Sequence, residues 1–147
     1  MTIICDSREK KNEHIKKYFD KNNIDYIVQK MGVADYQILE NDKIVIDRKQ
    51  NLDELAKNLM NKKDHSRFWK EVRRAKNKGI KLIVLCEHGK DITNIESVSK
   101  WNSKHSGITG RILLEEIYRV HIAYGVEFIF CTKRQTAKKI VELLKNY

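Results

Sequence analysis

The chain has 147 residues and carries 30 Lys and Arg against 20 Asp and Glu, a formal net charge of +10. An excess of this size fits a polyanionic partner, either nucleic acid or an anionic membrane surface. No apolar run approaches a bilayer span, and the opening Met1-Thr2-Ile3-Ile4-Cys5-Asp6 lacks the basic stretch and apolar core of a signal peptide. The expectation is therefore an intracellular protein, cytoplasmic or nucleoid-associated, with nucleic acid as partner and no membrane. Cys5, Cys86 and Cys131 each close an apolar segment, and neither they nor the five scattered histidines show zinc spacing. Buried free thiols are expected. With no proline, no repeat and no linker composition, residues 1–147 read as one domain able to bury a core without disulfides.

In chain order, Thr2 to Cys5 is a short apolar strand ending at Asp6. Ile15, Tyr18 and Phe19 recur at helical spacing between Lys10 and Asn22, and Ile24 to Gln29 reads as a second strand. Gly32 to Asp53 then reads as two strands joined by a polar turn at Glu40-Asn41-Asp42, with Ile38-Leu39 on one side and Ile44-Val45-Ile46 on the other. Asp35 enters the first of these strands, and Asp47 and Lys49 leave the second. Both carboxylates thus lie at the end of the hairpin opposite its turn, and Asp47 and Lys49, two apart, share a face. An ordinary hairpin with charged ends would look the same. Two carboxylates and an ammonium gathered there also suit a hard divalent cation and an activated water.

Asn51 is a reasonable N-cap for a helix whose Leu52, Leu55, Ala56, Leu59 and Met60 form one core stripe. Lys57 to Lys81 is the most basic segment, with ten Lys and Arg, Lys62 and Lys63 among them, against Asp64 and Glu71. Within it, Phe68, Val72 and Ala75 mark a helix from about Ser66 to Asn77. Arg67, Lys70 and Arg74 form one edge of that helix, and with Arg73 they are the candidate DNA contacts. Trp69 reads as a packing residue more readily than as a base-stacking one.

Gly79 ends that helix, and Ile80 to Cys86 is a strand buried on both faces, with Glu87 at its end. Residues 88–108 are polar and irregular, with Trp101 as their one large aromatic. They read either as a flexible substrate-facing loop or as surface without a role. A helix with Leu113, Ile117, Val120 and Tyr124 follows, then a strand from Val126 to Cys131, then a helix marked by Ala137, Ile140, Val141 and Leu144.

Asp6-Ser7-Arg8-Glu9, Gly32-Val33-Ala34-Asp35-Tyr36, Ile46-Asp47-Arg48-Lys49 and Asp53 together resemble, in order and rough spacing, the nuclease domain of the XPF/Hef group of structure-specific endonucleases. That group belongs to the restriction-endonuclease-like PD-(D/E)xK superfamily. It carries an Asp near the first strand, a Gly-Asp-Tyr/Phe element and a Glu-Arg-Lys-x-x-x-Asp signature. Here Asp47 stands where the family has Glu, and Val33-Ala34 separate Gly32 from Asp35. Arg67-Phe68 resembles the family's Arg-Phe helix, and the helix–strand–helix ending also matches.

The resemblance implies an α/β fold, a mixed central sheet flanked by helices, and metal-dependent hydrolysis of DNA phosphodiesters at branched, flapped or forked structures. On this reading Asp35 and Asp47 bind Mg²⁺ or Mn²⁺, and Asp6 either completes the metal shell or supports it from behind. Lys49 orients the water or stabilises developing charge. Arg8, Glu9, Arg48, Asp53 and Glu87 are candidates for supporting or phosphate-contacting roles. Arg48 should point away from Asp47 and Lys49, towards an ion pair, and Asp53 falls in the first turn of a helix, where a negative charge is stabilising. The family's tandem helix-hairpin-helix module is not found in these 147 residues. Substrate choice would then come from the nuclease domain, a homodimer or a partner protein. A Holliday-junction resolvase or restriction-type nuclease would use the same groups, and a non-catalytic DNA-binding protein could share the fold. A basic protein acting on RNA or a nucleotide would lack a phosphate-cradling Gly-rich loop.

Overall fold

A computed structural model describes residues 1–60 and 66–146. Lys62, Lys63 and Asp64 of the basic segment lie outside the described residues. Strands β1 (Thr2–Asp6), β2 (Asp25–Gln29), β3 (Tyr36–Ile38), β4 (Asn41–Lys49), β5 (Lys81–Glu87) and β6 (Glu127–Cys131) form one mixed sheet in the order β2-β1-β3-β4-β5-β6. β1 is parallel to β2 and antiparallel to β3, β3 is antiparallel to β4, and β4, β5 and β6 are mutually parallel. Only β3 therefore runs against the rest. One rim of the sheet collects the ends of β1, β4 and β5 together with the start of β3, and that rim carries the acidic and basic residues of interest.

Helices α1 (Glu13–Lys21) and α5 (Thr136–Lys145) cover one face of the sheet, while α2 (Leu52–Met60), α3 (Arg67–Asn77) and α4 (Gly110–Tyr124) cover the other. The strands sort their side chains by alternation. Ile44, Ile46, Ile83 and Leu85 pack with Ile15, Phe19 and Ile140, whereas Val45, Leu82 and Val84 pack with Leu55, Leu59, Val72 and Leu113. Continued to the end of β4, the same alternation sets Asp47 and Lys49 on the α2/α3 side and Arg48 on the α1/α5 side. Asn51 caps α2 by accepting the Glu54 N–H at 2.8 Å, and Thr109 caps α4 by accepting the Ile112 N–H at 3.3 Å. The three cysteines are free and buried, and burial pushes the Cys5 thiol up to about 12. Among the described residues no helix is long and apolar enough to cross a membrane.

Two expectations are corrected. The hairpin turns at Leu39-Glu40, with Ile38 paired to Asn41, rather than at Glu40-Asn41-Asp42. Asn41 opens β4, and its side chain accepts the Lys43 N–H at 3.0 Å instead of shaping the turn. Leu39, apolar but 52% exposed, sits in the connection. The second correction concerns residues 88–108, which are packed rather than a loose loop. Ile92, Val98 and Trp101 are buried, Glu96–Lys100 forms a 3-10 turn, and Asn102 bridges Thr109.

Gly110 closes this packed segment against α4. A Cβ there would lie 2.1 Å from the Val98 carbonyl oxygen and 2.3 Å from that of Trp101, whereas one at Gly107 would meet nothing within 4 Å. Gly110→Ala should lower the unfolding free energy by about 1–3 kcal/mol. Gly107→Ala should stay within about 0.5 kcal/mol of the parent. Urea denaturation checks both, and equal effects would contradict the packed arrangement.

Candidate active site

The rim opens into a cavity of about 320 Å³ whose walls include Glu9, Asp35, Asp47, Lys49, Glu71 and Arg67. Asp35 is fixed from both sides before β3 begins. Its N–H donates to the Ile46 carbonyl at 2.9 Å, its carbonyl accepts the Asp6 N–H at 2.8 Å, and its carboxylate accepts the Arg48 N–H at 2.8 Å. The preceding Ala34 has φ +63°, so the chain enters β3 through a left-handed residue. Asp47 and Lys49 form an ion pair of 2.8 Å between Oδ2 and Nζ, and the ammonium lies 4.6 Å from the centre of the Phe68 ring.

The electrostatics follow from burial and crowding. Loss of solvent, then repulsion from Asp47 and Glu9, pushes the Asp35 carboxyl well above the ordinary carboxylate range. Burial and the Asp47 charge also raise Glu71, against the pull of Arg67 and Lys49. Burial would by itself lower Lys49, but Asp47, Asp35 and Glu54 outweigh it, so its net direction is up and it is held as ammonium.

The other expected residues divide by position. Arg48 turns to the opposite face, where Nη1 meets Glu9 Oε2 at 3.2 Å, Nε meets Glu87 Oε1 at 3.2 Å, and Nη2 donates to the Lys11 carbonyl at 3.1 Å. Glu87 belongs to that same face. It accepts from the Thr136 hydroxyl at 2.8 Å, lies 2.9 Å from His14 Nε2, and is not on the cavity wall. Asp53 stands in the first turn of α2, where it accepts from the Ser103 hydroxyl at 2.6 Å and ties down the 88–109 segment.

Asp6 stands behind the cavity rather than on its wall. It is met by Arg8 Nε at 3.0 Å, the Met31 N–H at 2.9 Å and Arg67 Nη2 at 3.4 Å. It thereby holds two cations that do line the cavity. On α3, Arg67, Lys70 and Arg74 share the edge beside the cavity. Arg73 does not join them, because it faces α4 beside Trp69 and Arg119. Trp69 is a packing residue, edge-on to Phe68 and to Tyr124 at centroid distances of 6.0 and 5.8 Å.

Glu71 is the residue that the sequence reading passed over, having counted it only as a counter-charge. Its spacing from Phe68, Val72 and Ala75 puts it on the buried stripe of α3, which is the signal that was available. It is buried, lines the cavity and meets Arg67 Nε at 3.4 Å.

Comparison with known proteins agrees with this architecture. A structure of XPF from Aeropyrum pernix superposes with a TM-score of 0.74 at 18% identity, covering 99% of this chain and 64% of that one. A second structure, of the same organism's XPF in complex with DNA, gives a TM-score of 0.71 at 17% identity, with the same coverages. This chain therefore spans about 64% of the length of those relatives. Comparison with curated protein sequences gives no match. The family model described as the ERCC4 domain matches residues 5–144, nearly the whole chain, and the protein belongs to the ERCC4 domain family.

Proposed function

We propose that this domain is a DNA endonuclease that hydrolyses a phosphodiester bond with a divalent cation, Mg²⁺ or Mn²⁺, held by Asp35 and Asp47. The observation that carries the reading is the pair of buried carboxylates and the ammonium of Lys49 on one cavity wall, bordered by the basic edge of α3. The donor set fits such an ion. Both carboxylates supply hard oxygen ligands, and a bound cation would offset what raises the Asp35 carboxyl, its burial first and then repulsion from Asp47 and Glu9. Asp in place of the family's Glu at 47 draws that carboxylate back by one methylene, and Asp35 on the opposing element shares the task.

When bound, the cation would acidify a water and offset charge on the scissile phosphate. Lys49, kept protonated by Asp47, donates to a phosphate oxygen as charge develops there. Arg8 and Arg67 neutralise the backbone from the wall. Asp6 is assigned to holding these two arginines, since its contacts are already made to them and to the Met31 N–H. Arg48, Glu9 and Glu87 form the ion-paired base under β4, and Asp53 fixes the neighbouring segment.

DNA as substrate is supported by the charge of +10 and by the relative solved with DNA. Branched, flapped or forked DNA is our reading of the preferred form. Labelled flap, fork, four-way-junction and linear duplex substrates, each with Mg²⁺, Mn²⁺ or EDTA, test it. Cutting should require the cation and favour a flap or fork. Lys49→Ala should cut at least about 100-fold more slowly, Asp47→Ala should lose cutting, and both should keep the parent circular dichroism. Binding without cutting under either metal would overturn the enzyme reading, and preference for the four-way junction would favour a resolvase.

A stability measurement follows from the raised Asp35. Its carboxyl binds its proton more tightly folded than unfolded, so its contribution is full below the unfolded value and is lost as pH rises through the folded one. Without metal, Asp35→Asn should be more stable than the parent at pH 8, since the amide oxygen can still accept the Arg48 N–H. The advantage should shrink towards pH 4. Urea denaturation in EDTA reads it, and a variant less stable than the parent at pH 8 would contradict the cost assigned to burying this carboxylate beside Asp47 and Glu9.

A further inference from the structure

A second cavity of about 350 Å³ adjoins the first between the edge of α3 and the Met31-Gly32 turn. Among the described residues, its walls carry Arg8, Lys30, Arg67, Lys70 and Arg74 against one carboxylate, Glu71, and no aromatic side chain. Arg8, Arg67 and Glu71 line both cavities, so the two share a wall.

Three of the five cations on this wall, Arg8, Arg67 and Arg74, are held in place. Asp6, with a side chain wholly shielded from solvent, fastens Arg8 and Arg67 from behind. Arg8 Nη2 also donates to the Met31 carbonyl at 2.8 Å, and Arg74 Nη1 donates to the Gly32 carbonyl. A carbonyl orients a guanidinium without cancelling its charge, and each guanidinium has five N–H donors. Lys30, Lys70 and Arg74 are exposed at the mouth. A concave, strongly cationic surface with preset donors selects a compact oxyanion.

We propose that this cavity is a second phosphate subsite, one that takes the phosphate flanking the scissile one on the same DNA strand. The proposal rests on the endonuclease reading of the first cavity. The strand would be gripped at two successive phosphates, with Arg8 and Arg67 between them and Lys30, Lys70 and Arg74 on the outer one. Phosphate contacts carry no sequence information. This subsite would therefore fix the register of the strand without favouring any base. Arg73, on the other flank of α3, takes no part.

The test uses the full chain. The cut position on a flap substrate is mapped with Mg²⁺. Substrates are then made with one uncharged methylphosphonate at the phosphate on either side of the cut. Binding is read by fluorescence anisotropy with Ca²⁺ replacing Mg²⁺, for the parent, for Lys70→Ala/Arg74→Ala, and for Lys17→Ala on α1 as a charge control.

At one flanking position the substitution should weaken the parent and Lys17→Ala about tenfold, the worth of one charge-assisted contact. It should weaken the double variant less than about twofold, and that variant's salt dependence should flatten by about 1 in slope, for the one phosphate no longer held. Equal penalties in all three proteins, or no sensitive flanking phosphate in the parent, would overturn the subsite while leaving the first cavity's chemistry intact. A parent that cuts no DNA would overturn the endonuclease reading, and the subsite with it.

Discussion

Three consecutive charged residues, Asp47, Arg48 and Lys49, are buried at the end of β4, and the rest of the rim answers to them. A charge removed from water without a partner costs several kcal/mol. Alternation along the strand forbids all three from sharing one set of partners. Asp47 and Lys49 therefore pair on the α2/α3 side, while Arg48 crosses to Glu9, Glu87 and the Lys11 carbonyl on the other. The Arg48 N–H still reaches the Asp35 carboxylate, so both faces are fastened to the same short stretch of backbone.

That arrangement leaves an imbalance on one side. Where Arg48 is matched by two carboxylates, Lys49 faces the charges of both Asp47 and Asp35, while Arg67 meets Glu71 on the same cavity wall. The remaining negative charge suits a cation. The adjoining basic wall, held by Asp6 through Arg8 and Arg67, suits the phosphate that such a cation would act on. One buried carboxylate, Asp6, anchors the two guanidinium groups that stand where the acidic and basic cavities meet.

Much of this was legible before any coordinates. The two-residue spacing of Asp47 and Lys49, the departure of Arg48 to the other face and the Asn51 cap all follow from local periodicity, and each is found in the structure. What was hidden depended on contacts distant in sequence or on apolar residues without a period. Asp6 is held by groups 25 and 61 residues away, so no spacing rule places it behind the cavity. Ile92, Val98 and Trp101 recur at no regular interval, and their segment looked like open loop. Asn41-Asp42 has turn chemistry but lies in β4, because register rather than composition fixed where the hairpin turned. Arg73 was grouped with its charged neighbours, although helical geometry carries it to the far flank.

The account turns on Asp35 and Asp47 forming a seat for a divalent ion. Calorimetric titration of Mn²⁺ into the metal-free parent, Asp35→Asn and Asp47→Asn proteins, without DNA, tests that directly. Saturable binding by the parent, at least about tenfold weaker in each variant, is the predicted result. Binding of equal strength in all three proteins would contradict the seat, whatever the chain does to DNA.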